Sequence, residues 1–284
     1  MSEPSFSNGF ASPWYDGRMK YPDLWRGCVG AWAPLLGPTG ATLFDVSGRS
    51  KHGTLTNMDP ATDLVVGRYG HALDLDGWND YVSCGTGVGL FQATDRFSIS
   101  THAFVRNVTS QQEIMAKWQV SASGGWQWFI YTDGRLHFLH TDLSGSSIRW
   151  ASGSTVLTVN THYTLSVTYD GSNAASGFKF YVNGIPETTT VVSDYGPGTS
   201  GDSALWIGSR QNGAGDTFWN AIISDIAMWS RTLTSNELTL LAQRPGIMLE
   251  LDDSDAWGAV EAGGSVPWWA FANRQSRIIG GGVT

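Results

Sequence analysis

Between about residues 27 and 243 the chain repeats one pattern: short runs in which apolar and polar side chains alternate, separated by turns rich in Gly, Asn and Asp. In Phe97-Ser98-Ile99-Ser100-Thr101-His102-Ala103-Phe104-Val105 the odd positions are largely apolar and the even ones largely polar. That predicts a strand with one face buried and the other wet or partly covered. His71 to Asp76, the turn Gly77-Trp78-Asn79-Asp80 and Tyr81 to Cys84 read as a hairpin. Trp126 to Tyr131 and Arg135 to Leu139 read as a second, around Asp133-Gly134, and Phe178 to Val182 ends at Asn183-Gly184, the strongest short hairpin signal. With Tyr163 to Tyr169, Leu205 to Gly208 and Ile222 to Trp229, roughly a dozen strands are predicted, at spacings that suit a sandwich. The predicted class is all-β, two stacked antiparallel sheets.

One segment leaves the period of two. Thr234-Ser235-Asn236-Glu237 has the spacing of a capping box, Leu233 and Leu238 supply a hydrophobic staple, and Pro245-Gly246 stops the run, so a short helix is predicted over about 235–243. At the chain ends no period holds. Residues 1–26 carry Pro4, Pro13 and Pro22 among many aromatics, and residues 245–284 pass from acidic Glu250 to Asp255 into Val266-Pro267-Trp268-Trp269-Ala270-Phe271. Both read as extended arms too apolar to be free. The predicted division is an arm over 1–26, one domain over 27–244 and a docking arm over 245–284.

Composition agrees with short strands and many turns: 35 glycines, 12% aromatics and 15% charged residues. A net charge of −8 without a Lys/Arg cluster argues against a nucleic-acid partner. No apolar run approaches the roughly 18 residues of a membrane-spanning helix, and Met1 to Gly9 lacks the charged start and apolar run of a signal peptide. Cys28 and Cys84 lie in strand-like runs where a free Cys packs as a small hydrophobe, and their pairing stays open.

Candidate chemistry sits first in the loop from Phe44 to Leu55, which gathers Asp45, Ser47, Gly48, Ser50 and Gly53 in a tight space. It has two readings: an oxygen cage for calcium, completed by Asp225 about 180 residues on, or an Asx-turn in which Asp45 caps its own backbone. The tryptophans offer a second candidate, because an exposed indole stacks on sugar C–H groups while amides and carboxylates bind hydroxyls. Trp118, Trp126, Trp128, Trp150, Trp206 and Trp219 are the candidates; Trp219, beside Gly213-Ala214-Gly215-Asp216, is the one chosen as exposed, with Trp126 and Trp128 next.

These residues together resemble a family. Asp45-x-Ser47-Gly48 with His52-Gly53-Thr54-Leu55, Gly70-x-Ala72-Leu73-x-Leu75-Asp76-Gly77 with Asp80-Tyr81-Val82, Tyr181-Val182-Asn183-Gly184, and Asp225-Ile226-Ala227-Met228-Trp229 look like a laminin-G-like, concanavalin A-like jelly roll over about 27–243. The resemblance implies a structural calcium ion at the rim, held by Asp45 and Asp225 with loop carbonyls near Gly48 and His52. Arg49 and Lys51 stand where members of such families often have uncharged residues. The arms and the closing Arg277-Ile278-Ile279-Gly280-Gly281-Gly282-Val283 resemble tails of tailed-phage structural proteins.

Enzyme motifs are missing. No Glu-x-Asp-x-Glu, Gly-x-Ser-x-Gly, His-Glu-x-x-His or phosphate-loop pattern occurs, and His137 and His140 fall on opposite faces of one strand. The expectation is a non-enzymatic structural protein of a virion or similar surface, serving capsid decoration or host attachment. Its arms would grip other virion proteins or copies of itself. A carbohydrate-binding lectin-like module, taking cell-surface glycans, is the alternative.

Overall fold

The computed structural model describes residues 19–37, 40–119, 124–142, 148–196, 201–210 and 217–251. The first strands are β1 (Cys28–Trp32), β2 (Thr42–Leu43), β3 (Gly53–Thr56), β4 (Leu64–Gly67), β5 (Gly70–Asp76) and β6 (Tyr81–Ser83). Longer ones follow: β7 (Phe97–Val105), β8 (Gln112–Gln119), β9 (Gly124–Ile130), β10 (Leu136–Thr141), β11 (Ile148–Ser152), β12 (Thr161–Tyr169) and β13 (Phe178–Val182). β14 (Ile185–Pro186), β15 (Thr190–Tyr195), β16 (Leu205–Ile207) and β17 (Asn220–Trp229) then lead to the helix α1 (Ser235–Leu241).

The strands form two antiparallel sheets, as the alternation predicts. The eight-stranded sheet runs β14-β13-β12-β7-β17-β5-β4, with β1 also on β17; the nine-stranded sheet runs β15-β11-β10-β9-β8-β16-β6-β3-β2. The pieces beyond the predicted dozen are mostly two to four residues long, as in β2, β4 and β14, too short to show a period. One prediction fails. His71 to Cys84 is not a hairpin: β5 pairs with β4 and β17, whereas β6 pairs with β3 and β16, so the Gly77–Asp80 turn carries the chain from one sheet to the other. The hairpins at Asp133-Gly134 and Asn183-Gly184 are present. At the latter, Asn183 and Gly184 take φ of 53° and 76°, the two left-handed positions of a type I′ turn.

Alternation sets what faces inward. Trp126, Trp128 and Ile130 on β9 meet Phe97 and Ile99 on β7 and Val167 on β12 in the core between the sheets. The other face of β7 is not wet. Ser98 and Ser100 are buried beneath a second core, in which Trp229, Leu233, Leu238 and Leu241 pack with Leu24, Trp25, Ile247, Met248 and Leu249. Residues 19–26 and 245–251, assigned to the arms by the sequence pattern, therefore cover the eight-stranded sheet. Their indoles are satisfied there: Trp25 Nε1 donates to Met248 O at 2.8 Å and Trp229 Nε1 to Leu24 O at 2.6 Å. The two ends run side by side, with Met19 bridged to Leu251 and Lys20 N donating to Glu250 O at 2.8 Å. The rest of both predicted arms lies outside the described residues.

Helix α1 starts as predicted, with Thr234 Oγ1 accepting from Glu237 N and Glu237 Oε2 accepting from Thr234 N, and it ends at Leu241, two residues early. Among the described residues no helix is long and apolar enough to cross a membrane.

Candidate functional site

The Asp45 loop closes on its own backbone. Asp45 Oδ1 accepts from Ala31 N at 3.0 Å and Ser47 N at 2.9 Å, and Oδ2 accepts from Lys51 N at 3.0 Å. His52 Nδ1 accepts from Asp45 N at 3.1 Å. Asp225 is engaged elsewhere: Oδ1 accepts from His102 N and lies 2.6 Å from His102 Nδ1, while Oδ2 accepts from Gly246 N at 2.7 Å. Trp32 separates the two acids, since it bridges Asp45 on one side and pairs with Ile226 on the other. Two strand spacings put about 10 Å between their backbones, and among the described residues no three His, Cys, Asp or Glu gather as a metal shell. Asp45 and Asp225 are thus each bonded to backbone donors of a different segment, Asp45 to Ala31, Ser47 and Lys51 and Asp225 to His102 and Gly246. Three N–H donors hold the Asp45 carboxylate, so Asp45→Ala is expected to cost about 2 kcal/mol, read in a thermal melt. A chelator-induced fall of several degrees in a thermal melt would place calcium at the loop.

Both cysteines are free and buried. Burial pushes the Cys28 thiol up to about 12, with Asp45 adding to it, so this sulfur packs as a hydrophobe.

The tryptophan expectations need correction. Trp126, Trp128 and Trp219 are each 0% exposed. On β9 the two indoles point between the sheets because Gln127 takes the opposite position; Trp219 packs in the core, with its backbone N–H donating to Gly208 O at 2.8 Å. None of the three presents a face to a ligand. The neighbouring Gly213–Asp216 segment lies outside the described residues. Trp78 was missed: at 79% exposure it is the most exposed indole among the described residues. Its signal was legible, since a Trp between Gly77 and Asn79 at a turn tip, with Asp76 Oδ1 accepting from Trp78 N at 2.7 Å, cannot reach the core.

A better platform lies on the outer face of the nine-stranded sheet. Register aligns Ser83, Trp206, Ala116, Gln127, Leu139 and Trp150 as one row across six strands, with side chains on the same side. Half-buried Trp206 and Trp150 flank buried Ala116 and Gln127 and half-buried Leu139, about 19 Å apart over four strand spacings. Tyr81 stacks on Trp206 with centroids 4.2 Å apart. In the adjacent row Glu113, Phe129 and His137 align, and Trp150 Nε1 donates to His137 Nδ1 at 2.9 Å. This face, with half-buried aromatic residues near its ends and Ala116, Gln127 and Glu113 buried between them, is the trough.

Its floor holds charged groups under stress. Glu113 is fully buried, and burial pushes its carboxyl up to about 7, against the pull of Arg210, Gln111 and Thr217. Glu113 Oε2 accepts from Gln111 Nε2 and Thr217 Oγ1, both at 3.1 Å, and Arg210 Nη1 donates to Gln127 Oε1 at 2.8 Å. Glu113 Oε1, Gln127 Nε2 and Arg210 Nε are buried without partners among the described residues. Buried polar atoms left unpaired are uncommon. Burial lowers the pKa of His137, with Asp133 pulling it back up.

A family model for the concanavalin A-like lectin/glucanases superfamily matches residues 76–239, more than half of the chain. No curated protein matches. Among solved structures, the binding domain of Paraclostridial Mosquitocidal Protein 1 is similar at 16% identity and a TM-score of 0.56, over 77% of this chain and 52% of that one. A Trypanosoma rangeli sialidase in complex with sialic acid aligns at 15% identity and 0.51, over 76% and 33%. The botulinum neurotoxin serotype D ligand binding domain in complex with N-acetylneuraminic acid aligns at 14% and 0.54, over 78% and 52%. At these identities the likeness is one of fold, and this chain spans a third to a half of each neighbour.

Proposed function

Because the chain belongs to the concanavalin A-like lectin/glucanases superfamily, we propose that it is a non-enzymatic binding module that holds a saccharide across the outer face of its nine-stranded sheet. The observation that carries this reading is the row from Trp206 to Trp150, with Gln127, Glu113 and Arg210 beneath it. Aromatic faces stack on sugar rings, and the half-buried Arg210 guanidinium supplies donors for hydroxyls. Fold neighbours crystallised with sialic acid support the reading. The setting we propose is a virion or comparable surface assembly, with the module decorating it or attaching it to a host. Met19 and Leu251 pair, so the described parts of the two predicted arms lie side by side.

A glycosidase is the second reading, favoured by the raised pKa of Glu113. Such chemistry needs a second carboxyl about 5–10 Å away. Asp133, in the turn between β9 and β10, is engaged with His137 Nε2 at 3.1 Å. Turnover on a polysaccharide panel, lost in Glu113→Gln, would establish that reading over ours.

The binding reading is tested on a glycan array with purified protein. Trp206→Ala and Arg210→Gln are each expected to weaken the best ligand about tenfold or more, about 1.4 kcal/mol, and Arg210→Gln also lowers the melting temperature because it leaves buried Gln127 Oε1 without its donor. Binding indifferent to both substitutions would count against the trough.

A further inference from the structure

A second cavity, sharing no residue with the trough, opens at the rim between the Arg49–Lys51 loop, the Gly87–Phe91 loop and the residues before β7. It measures about 530 Å³, within the range of small-ligand sites. Its charge runs against that of the chain. The net charge is −8, yet Arg49, Lys51 and Arg96 line this cavity against a single acid, Asp95, whose carboxylate accepts from Gln92 N at 2.8 Å. Lys51 Nζ donates to Thr86 O at 3.2 Å; among the described residues the Arg49 and Arg96 guanidinium groups have no hydrogen-bond or ion-pair partner.

The facing wall is built to approach closely. Gly87 and Gly89 hold φ of 73° and 64°; a Cβ on Gly87 would stand 3.1 Å from Lys51 Nζ, and one on Gly89 would stand 2.7 Å from Met228 Cε. The Gly87 amide is pinned to Asp202 Oδ1 at 2.9 Å. Half-buried Val29 and exposed Leu90 add an apolar edge. Two unpaired planar cations and an ammonium around a space with an apolar edge match an oxyanion on a ring that also has a C–H face. Sequence places Arg49 and Lys51 on the loop where the family resemblance expects a calcium ion; their charge repels a cation and attracts an anion.

We propose that this rim cavity binds the carboxylate or sulfate of an acidic saccharide, independently of the outer-face trough. The test is calorimetric titration of the full chain at low salt with 3′-sialyllactose, lactose 3′-sulfate and lactose. At least one acidic sugar is expected to bind about tenfold or more tightly than lactose, and the preference should fade in about 0.5 M salt. It should vanish in the Arg49→Gln/Arg96→Gln double variant and survive in Trp206→Ala. Which acidic sugar binds distinguishes carboxylate from sulfate. Equal affinity for all three sugars, or a preference that persists in the double variant, would overturn the proposal. Both arginines are exposed, and an unchanged melting temperature confirms that the variant is folded.

Discussion

A chain that stops at residue 244 is expected to lose its cooperative melt. The cut removes Ile247, Met248 and Leu249, exposed by 2%, 7% and 6%, from the core over the eight-stranded sheet. At about 1.5–3 kcal/mol for each buried side chain, the loss is roughly 5–9 kcal/mol, comparable to the whole stability of a typical domain. Two polar groups lose partners as well: Trp25 Nε1 its acceptor on Met248, and Asp225 Oδ2 its donor on Gly246. A chain ending at residue 251 keeps all of these contacts and is expected to retain a cooperative melt. Calorimetry of the two truncations decides the matter. Matching melting temperatures for the 244 and 251 ends would show that the second core contributes little.

The second large effect is a pH dependence centred on Glu113. Its folded pKa of about 7 lies above the ordinary value of 4.5, so the folded state holds a proton that the unfolded state releases. The stability this contributes is fully present below about pH 4.5 and is lost as pH rises through about 7, a change of roughly 3 kcal/mol. Asp80, raised to about 6 by burial, acts in the same sense, while His140, lowered to about 4 by burial, acts in the opposite one. The wild-type curve mixes all three. The difference between wild type and Glu113→Gln isolates Glu113: the amide keeps the shape without the charge, so the variant is expected to gain on wild type steadily from pH 4.5 to 7.5. Parallel denaturant-derived curves for the two proteins over that range would mean that Glu113 is not held in a desolvated site.

The sandwich was legible because alternation is a local property. Trp126, Gln127 and Trp128 on β9, or Phe97 to Val105 on β7, declare their faces without reference to any partner. The capping box at Thr234 and Glu237 was local too. What depends on pairing was not legible. The trough exists because β16 lies beside β8, about 90 residues earlier, which sets Trp206 opposite Ala116; no window along the chain contains both. Trp219 was misjudged for the same reason, its turn position looking exposed until the hydrogen bond from its backbone N–H to Gly208 O is known. Residues 19–26 and 245–251 show no period because they lie across the sheet as short turns, with apolar residues contacting it at irregular intervals. The Asp45 loop carries an Asx-type pattern of bonds that calcium loops and plain turns share, so its residues alone could not choose between them.

The most direct test of the binding face follows indole N–H signals by NMR while the best array ligand is titrated into labelled protein. The account predicts that Trp150 and Trp206 shift together in proportion to saturation, while the buried Trp32, Trp126, Trp219 and Trp229 hold still. Saturable binding with Trp150 and Trp206 unmoved would contradict it.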